Sequence, residues 1–126
     1  MDRTQITVIM TCFNRREKTV KCVESLILGN PEYELSFIVL DDNSSDGTVE
    51  ALKKWGDQIT ILHGDGSSYW GGGMYNAIDY YLAANKKTPF VLLVNDDVDF
   101  YFNCIEQLIK RTDNTDAVIV GATCDE

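Results

Sequence analysis

The chain has 126 residues, 20 of them acidic and 11 basic, for a net charge of −9 at neutral pH. That length suits one compact domain whose core needs no disulfide or metal staple. The acidic balance argues against a protein that grips phosphate backbones by charge alone, so no nucleic-acid partner is expected, whereas a nucleotide accompanied by a divalent cation is admitted because the cation supplies the missing positive charge.

The segment "ITVIMTC", residues 6–12, is a β-branched run that predicts a buried strand. Asn14 follows as a candidate cap for a helix whose face is Val20, Val23 and Ile27 and which stops at Gly29-Asn30-Pro31. "LSFIVL" (35–40) is a second strand and "DDNSSDGT" a loop. Val49, Leu52 and Trp55 mark a helix ended by Gly56. "QITILH" (58–63) is a third strand, followed by the Gly-rich loop "GDGSSYWGGG" and a helix with Met74, Ile78 and Leu82 on one face. "FVLLV" (90–94) is a fourth strand, Ile105, Leu108 and Ile109 mark a further helix, and "AVIVGA" (117–122) is a fifth strand. Strands that alternate with helices and read as continuous apolar runs predict a Rossmann-like α/β fold, with a mostly parallel sheet and helices on both faces. In such sheets ligands bind beyond the carboxyl ends of the strands. The polar clusters "TCFNR", "DDNSSDGT" and "NDDVDF" all follow strands at that rim.

Cys12, Cys22, Cys104 and Cys124 form no C-x-x-C pair, and with a single histidine a zinc site is not expected. Cys12 and Cys22 fall in apolar segments and read as buried thiols of a reducing compartment. "MDRTQITVIM" lacks a signal-peptide pattern, and no run approaches the ~20 apolar residues of a spanning helix. A cytoplasmic location is expected, extending to the inner face of a membrane.

Each rim cluster has a structural and a chemical reading. In "NDDVDF", Asp99 or Asn103 could cap the following helix. Capping does not account for Asp96 and Asp97 emerging side by side from an apolar strand. Mg²⁺ or Mn²⁺ takes one or two carboxylates plus substrate phosphates, which this pair offers. In "DDNSSDGT", Ser45 or Asp46 caps a helix and Gly47 eases the turn, while Asp41 and Asp42 could accept hydrogen bonds from a ribose or a base imide. The glycines of "GDGSSYWGGGMYNAI" match neither a dinucleotide fingerprint nor a P-loop. Gly71 to Gly73 open a helix, where a backbone amide such as that of Gly72 could approach a phosphate, and Tyr69 and Trp70 suggest a packed loop or a stacking surface. Thr11, Phe13 and Asn14 could line a nucleoside pocket, although a plain strand-to-helix turn explains them equally well. His63 reads as structural.

Taken together, "VIMTCFNR", "IVLDDNSSDGT" and "LLVNDDVDF", in that order, resemble family-2 glycosyltransferases of the GT-A fold. The "GDGSSYWGGGMYNAI" segment is similar to a loop of a rhamnosyltransferase-like subset. The resemblance implies transfer of a sugar from a UDP- or dTDP-type nucleotide-diphosphate donor to a saccharide or lipid-linked acceptor hydroxyl. It also implies inversion, assistance by Mg²⁺ or Mn²⁺, and a setting in polysaccharide biosynthesis. Thr11 and Phe13 match the segment that cradles the nucleoside, and Asp42 the acid that receives the base imide hydrogen. Asp96 matches a residue facing the ribose or diphosphate, Asp97 the metal ligand, and Asp99 a neighbouring acid. The family's base lies in the acceptor half. Asp125 and Glu126 come too early to match it, so the base is expected beyond residue 126. Residues 1–126 then form the nucleotide-sugar-binding part, cut before the acceptor half, with exposed apolar surface and self-association expected. Three alternatives remain: a nucleotidyltransferase, which "TCFNRR" disfavours by lacking glycine; a receiver domain, whose acidic pairs would sit on other strands; and a nucleotide-binding module without catalysis.

Overall fold

The computed structural model describes residues 3–112; the expected fifth strand at 117–122 and Cys124, Asp125 and Glu126 lie outside them. Four strands, β1 (Thr4–Cys12), β2 (Tyr33–Asp41), β3 (Ile59–His63) and β4 (Phe90–Leu93), alternate with helices α1 (Arg16–Gly29), α2 (Thr48–Leu52), α3 (Tyr69–Ala83) and α4 (Cys104–Lys110). A 3₁₀ segment over Lys53–Gln58 continues α2, interrupted at Gly56 with φ of 57°. The strands make one all-parallel sheet in the order β3-β2-β1-β4. The α/β class and parallel sheet expected from the continuous apolar runs are therefore what the chain adopts.

Side chains alternate across the sheet because strand residues point to opposite faces in turn. From β1, Ile6, Val8, Met10 and Cys12 enter one cluster with Phe37 and Val39 of β2, Cys22, Val23 and Leu26 of α1, Leu52 of α2 and Ile105 of α4. Ile9 points the other way and joins Ile38 and Leu40 against Met74, Ala77 and Tyr81 of α3. The layers are thus α1, α2 and α4, then the sheet, then α3. The face of α3 differs from the expected one, since Leu82 is 65% exposed while Tyr81 is buried. At 3.6 residues per turn, position i+7 lies about 20° from i but position i+8 about 80° away. Tyr81 therefore stays over the core and Leu82 rotates out of it.

Because α3 packs on β1 and β2, the same side of β4 has no helix over it among the described residues. Val91 and Leu93 are 42% and 51% exposed there. No described helix is long and apolar enough to cross a membrane.

Cys12 and Cys22 lie in the core as expected. Burial raises both thiols, with Asp41 adding to the effect at Cys12 and Asp96 at Cys22; the Cys22 thiol is pushed up to about 12. Alkylation needs the thiolate. We therefore expect neither cysteine to react with iodoacetamide in the native protein at about pH 8, and both to react in denaturant, as read by mass spectrometry. Rapid native labelling of either would contradict this packing.

Candidate active site at the sheet switch point

β1 is paired on one side with β2 and on the other with β4. The chain runs outward from β1 through β2 to β3, then returns to lay β4 on the opposite edge. Strand order reverses between β1 and β4, and open α/β sheets bind ligands in the crevice beyond the carboxyl ends of such a pair. That crevice lies between the "FNR" that follows β1 and the "NDD" that follows β4. Val94 N–H donates to Ile9 carbonyl oxygen at 3.1 Å, which carries the ladder up to the acidic residues.

Asp96 is 6% exposed. Its Oδ2 accepts the Thr19 hydroxyl at 3.2 Å, and Arg15 Nη1 donates to its Oδ1 at 3.3 Å. Burial, the largest influence, pushes the carboxyl above the ordinary range, and Arg15 and Thr19 pull in the other direction. Asp97 points outward, its side chain 40% exposed, and its Oδ2 stands 3.2 Å from the same Arg15 nitrogen. Asp99 pairs separately with Lys21 Nζ at 2.9 Å, which raises the Lys21 ammonium. All three acids of the sequence cluster therefore meet cations of the "RREKTVK" segment. The sequence motif "TCFNR" contains Arg15 but does not by itself give it a role. Its signal was the chain's own acidity, since three carboxylates at one strand end call for a positive charge nearby.

The remaining rim loops are bound to one another. Asn14 does not cap α1; it adopts φ of 49° and its Oδ1 accepts the Ser45 N–H at 2.7 Å. The Arg16 N–H at the start of α1 instead donates to Asp46 Oδ2 at 3.0 Å. Asp46 also accepts the amide and hydroxyl of Thr48, and that hydroxyl is the main cause holding its carboxyl below the usual range. Asp46 was an expected cap for the helix after it, and it serves the one before it as well. Asp41, 2% exposed, accepts the Ser44 N–H at 3.0 Å and the Cys12 thiol at 3.5 Å.

Two expected nucleotide contacts are placed differently. Asp42 is 5% exposed, and its oxygens accept the N–H groups of Gly66 (3.0 Å), Ser68 (3.1 Å) and Tyr69 (3.2 Å). A carboxylate so supplied anchors the β3–α3 loop and the start of α3, and three amides leave its roughly four acceptor positions not fully used. The helix begins at Tyr69, so Tyr69 to Gly73 are helical and not loop. The Gly72 N–H donates within it to Ser68 carbonyl oxygen at 3.0 Å. That amide is not available to a phosphate, and the positive end of α3 already has the Asp42 carboxylate.

Thr11 lies on β1 with its methyl toward Gly73 of α3, where an added Cβ would stand 2.7 Å from Thr11 Cγ2. It forms the wall between sheet and helix. Phe13 is 50% exposed at the end of β1 and open for stacking. Trp70, 57% exposed, donates its Nε1–H to Asn95 Oδ1 at 2.9 Å and so ties the start of α3 to the β4 rim. The aromatic pair read as a packed loop or a stacking surface thus has one member bridging two rim segments and one, Tyr69, facing solvent.

The structure brings Arg15 together with Asp96 and Asp97, joins Trp70 to Asn95, and gives Asp42 and Gly72 internal contacts. Among the described residues no group of three or more His, Cys, Asp or Glu side chains converges as a metal cage. The Asp96–Asp97 pair still has the hard oxygen chemistry of a Mg²⁺ or Mn²⁺ site whose shell substrate oxygens complete. In this structure the Arg15 guanidinium, shared by both acids, already supplies their positive charge, so Asp97 is paired with an arginine as it stands, which counts against it as a free metal ligand.

Residues 7–126 match the family described as Glycosyl transferase family 2. The chain belongs to this family. No curated protein matches it at a significant level. Among solved structures it is similar to the mannosyltransferase PcManGT from Pyrobaculum calidifontis, solved with GDP-Man and Mn²⁺, with a TM-score of 0.69 and 16% identity. That likeness covers 89% of this chain and 33% of the other. TarS of S. aureus, solved with UDP-GlcNAc, gives a TM-score of 0.71 and 20% identity over 87% of this chain and 31% of that one. The family-2 chain therefore has the GT-A Rossmann-like fold of these enzymes and spans about a third of their length.

The two glycines at the start of α3 make opposite predictions. Gly71 would place a Cβ in open space, whereas Gly73 would press one against Thr11. Gly71→Ala should stabilise the chain by up to about 1 kcal/mol through helix propensity. Gly73→Ala should destabilise it by about 1–3 kcal/mol through overpacking. Urea titration followed by circular dichroism measures both, and equal effects would contradict the placement of α3.

Proposed function

We propose that this chain is the nucleotide-sugar-binding part of a glycosyltransferase, transferring a sugar from a nucleoside diphosphate donor to an acceptor hydroxyl. The observation that carries the reading is the placement, in a family-2 chain, of Phe13 just after β1 and of the Asp96–Asp97 pair just after the neighbouring β4, on either side of the switch point. The similar structures were solved with GDP-Man and Mn²⁺ or with UDP-GlcNAc, which supports a nucleotide sugar as donor class.

Phe13 offers its ring to the base, and Thr11 holds the wall behind it by fixing the approach of α3. Asp96, buried and hydrogen-bonded to Thr19, stays in place at the crevice floor. Asp97, half exposed above it, would be the protein's ligand to Mg²⁺ or Mn²⁺. Bound there, such a cation would neutralise the charge that gathers on the diphosphate as the bond to the anomeric carbon breaks. In the transfer itself, the electron pair of the carbon–oxygen bond leaves with the diphosphate. The acceptor oxygen attacks from the opposite face, so the anomeric centre inverts, and its proton passes to a carboxylate base. That base, and the saccharide or lipid-linked acceptor, belong to a part of the enzyme beyond these residues. With Asp42 engaged by three amides, the preference for uridine or thymidine rests on the family resemblance alone, so guanosine belongs in the test.

Calorimetry with UDP, dTDP and GDP, with and without Mn²⁺, tests the reading. At least one nucleotide should bind in a Mn²⁺-dependent way. Asp97→Asn should weaken that binding by about tenfold or more. Asp99→Asn, at a residue held by Lys21, should weaken it by about twofold or less. Absence of binding by all three nucleotides, or equal effects of the two substitutions, would remove the proposal's basis.

A further inference from the structure

The acidic pair has a partner that the family reading leaves without a task. Arg15 Nη1 touches Asp96 Oδ1 at 3.3 Å and Asp97 Oδ2 at 3.2 Å. Both contacts use one nitrogen, so the guanidinium closes its two-pronged fork on neither carboxylate. Its side chain is 49% exposed and that of Asp97 40%. Half-exposed, single-nitrogen pairs are weak and screened by salt. The residue sits at φ of −134° and ψ of 51°, just before α1, outside the helix that follows it.

A divalent cation on Asp97 and the guanidinium on the same carboxylate would repel each other. Arrival of one displaces the other. Once freed, a planar guanidinium matches the geometry of phosphate oxygens better than an ammonium does. We propose that Arg15 is an exchangeable counter-ion: it neutralises Asp96 and Asp97 before the donor arrives, yields Asp97 to the cation, and then pairs with the donor diphosphate. The proposal rests on the nucleoside diphosphate reading of this site. In this scheme Arg15 makes bound cation and bound diphosphate depend on one another.

The test compares the native chain with Arg15→Gln and Arg15→Lys. Free Mn²⁺ is measured by electron paramagnetic resonance without nucleotide, and UDP, dTDP or GDP binding by calorimetry with Mn²⁺. Arg15→Gln should bind Mn²⁺ alone about threefold or more tightly than native, because the competitor is gone, and bind the nucleotide with Mn²⁺ about tenfold more weakly. Arg15→Lys, which keeps the charge but not the fork, should keep native Mn²⁺ affinity and lose nucleotide affinity. Arg16→Gln is the control and should change neither, because the Arg16 side chain faces Glu17 at 3.6 Å. Circular dichroism melting confirms that each variant is folded. If native protein binds nucleotide with Mn²⁺ and Arg15→Gln matches it in both measurements, the exchange is refuted while the functional reading stands. A change in only one of the two also refutes it. If native protein binds no nucleotide, both proposals fall.

Discussion

A carboxylate taken out of water at the end of a buried strand has to find compensation, and in this chain that need organises the carboxyl rim of the sheet. Asp96 is buried where β4 delivers it, between α1 and the crevice. It is supported by one hydroxyl and one guanidinium, both from the opening of α1. The net charge of −9 makes such support scarce. The cations that answer the acids of "NDDVDF" come from the segment just after β1, so compensation falls across the switch point. Charge balance and ligand crevice therefore coincide, and the same geometry that steadies the fold prepares the site.

Around that point the rim loops hold each other rather than themselves. Asp46 caps a helix about thirty residues back in the chain, and Asp42 reaches forward to the start of α3. Asn14 receives an amide from the loop after β2, and Trp70 reaches the residue after β4. The Asp46 and Asp42 contacts satisfy backbone donors that the starts of α1 and α3 leave open. Together they fix the exposed groups, Phe13 and Asp97, on a rim with little slack. Short, mutually bonded loops have little further freedom to lose when a ligand binds.

The strands were legible because a parallel sheet covered on both faces needs uninterrupted apolar runs, and "ITVIMTC" and "LSFIVL" are such runs. The rim was legible too, since three polar clusters after strands exceed what helix capping requires. What the sequence concealed is long-range. The start of α3 depends on Asp42, 26 residues before Ser68, and no local pattern reveals a cap supplied from another loop. The Gly72 amide is spoken for by a different bond, the helical one to the Ser68 carbonyl. Leu82 looked like core because a spacing of four was extended one turn too far, when the helical period brings Tyr81 round instead. Arg15 went unassigned because its role exists only once β1 and β4 are neighbours, and strand order is not written in either strand.

The account stands on the switch point between β1 and β4 being the place where cation and nucleotide meet. Paramagnetic broadening locates that place directly: amide resonances of the isotope-labelled chain are recorded as Mn²⁺ is added with a nucleoside diphosphate. Selective loss of signals from residues 13–15, 70 and 95–97, with those of Glu32, Glu34 and Asp65 retained, is the predicted result. Broadening centred on those other acids, or spread evenly over the acidic surface, would place the cation elsewhere and contradict the account.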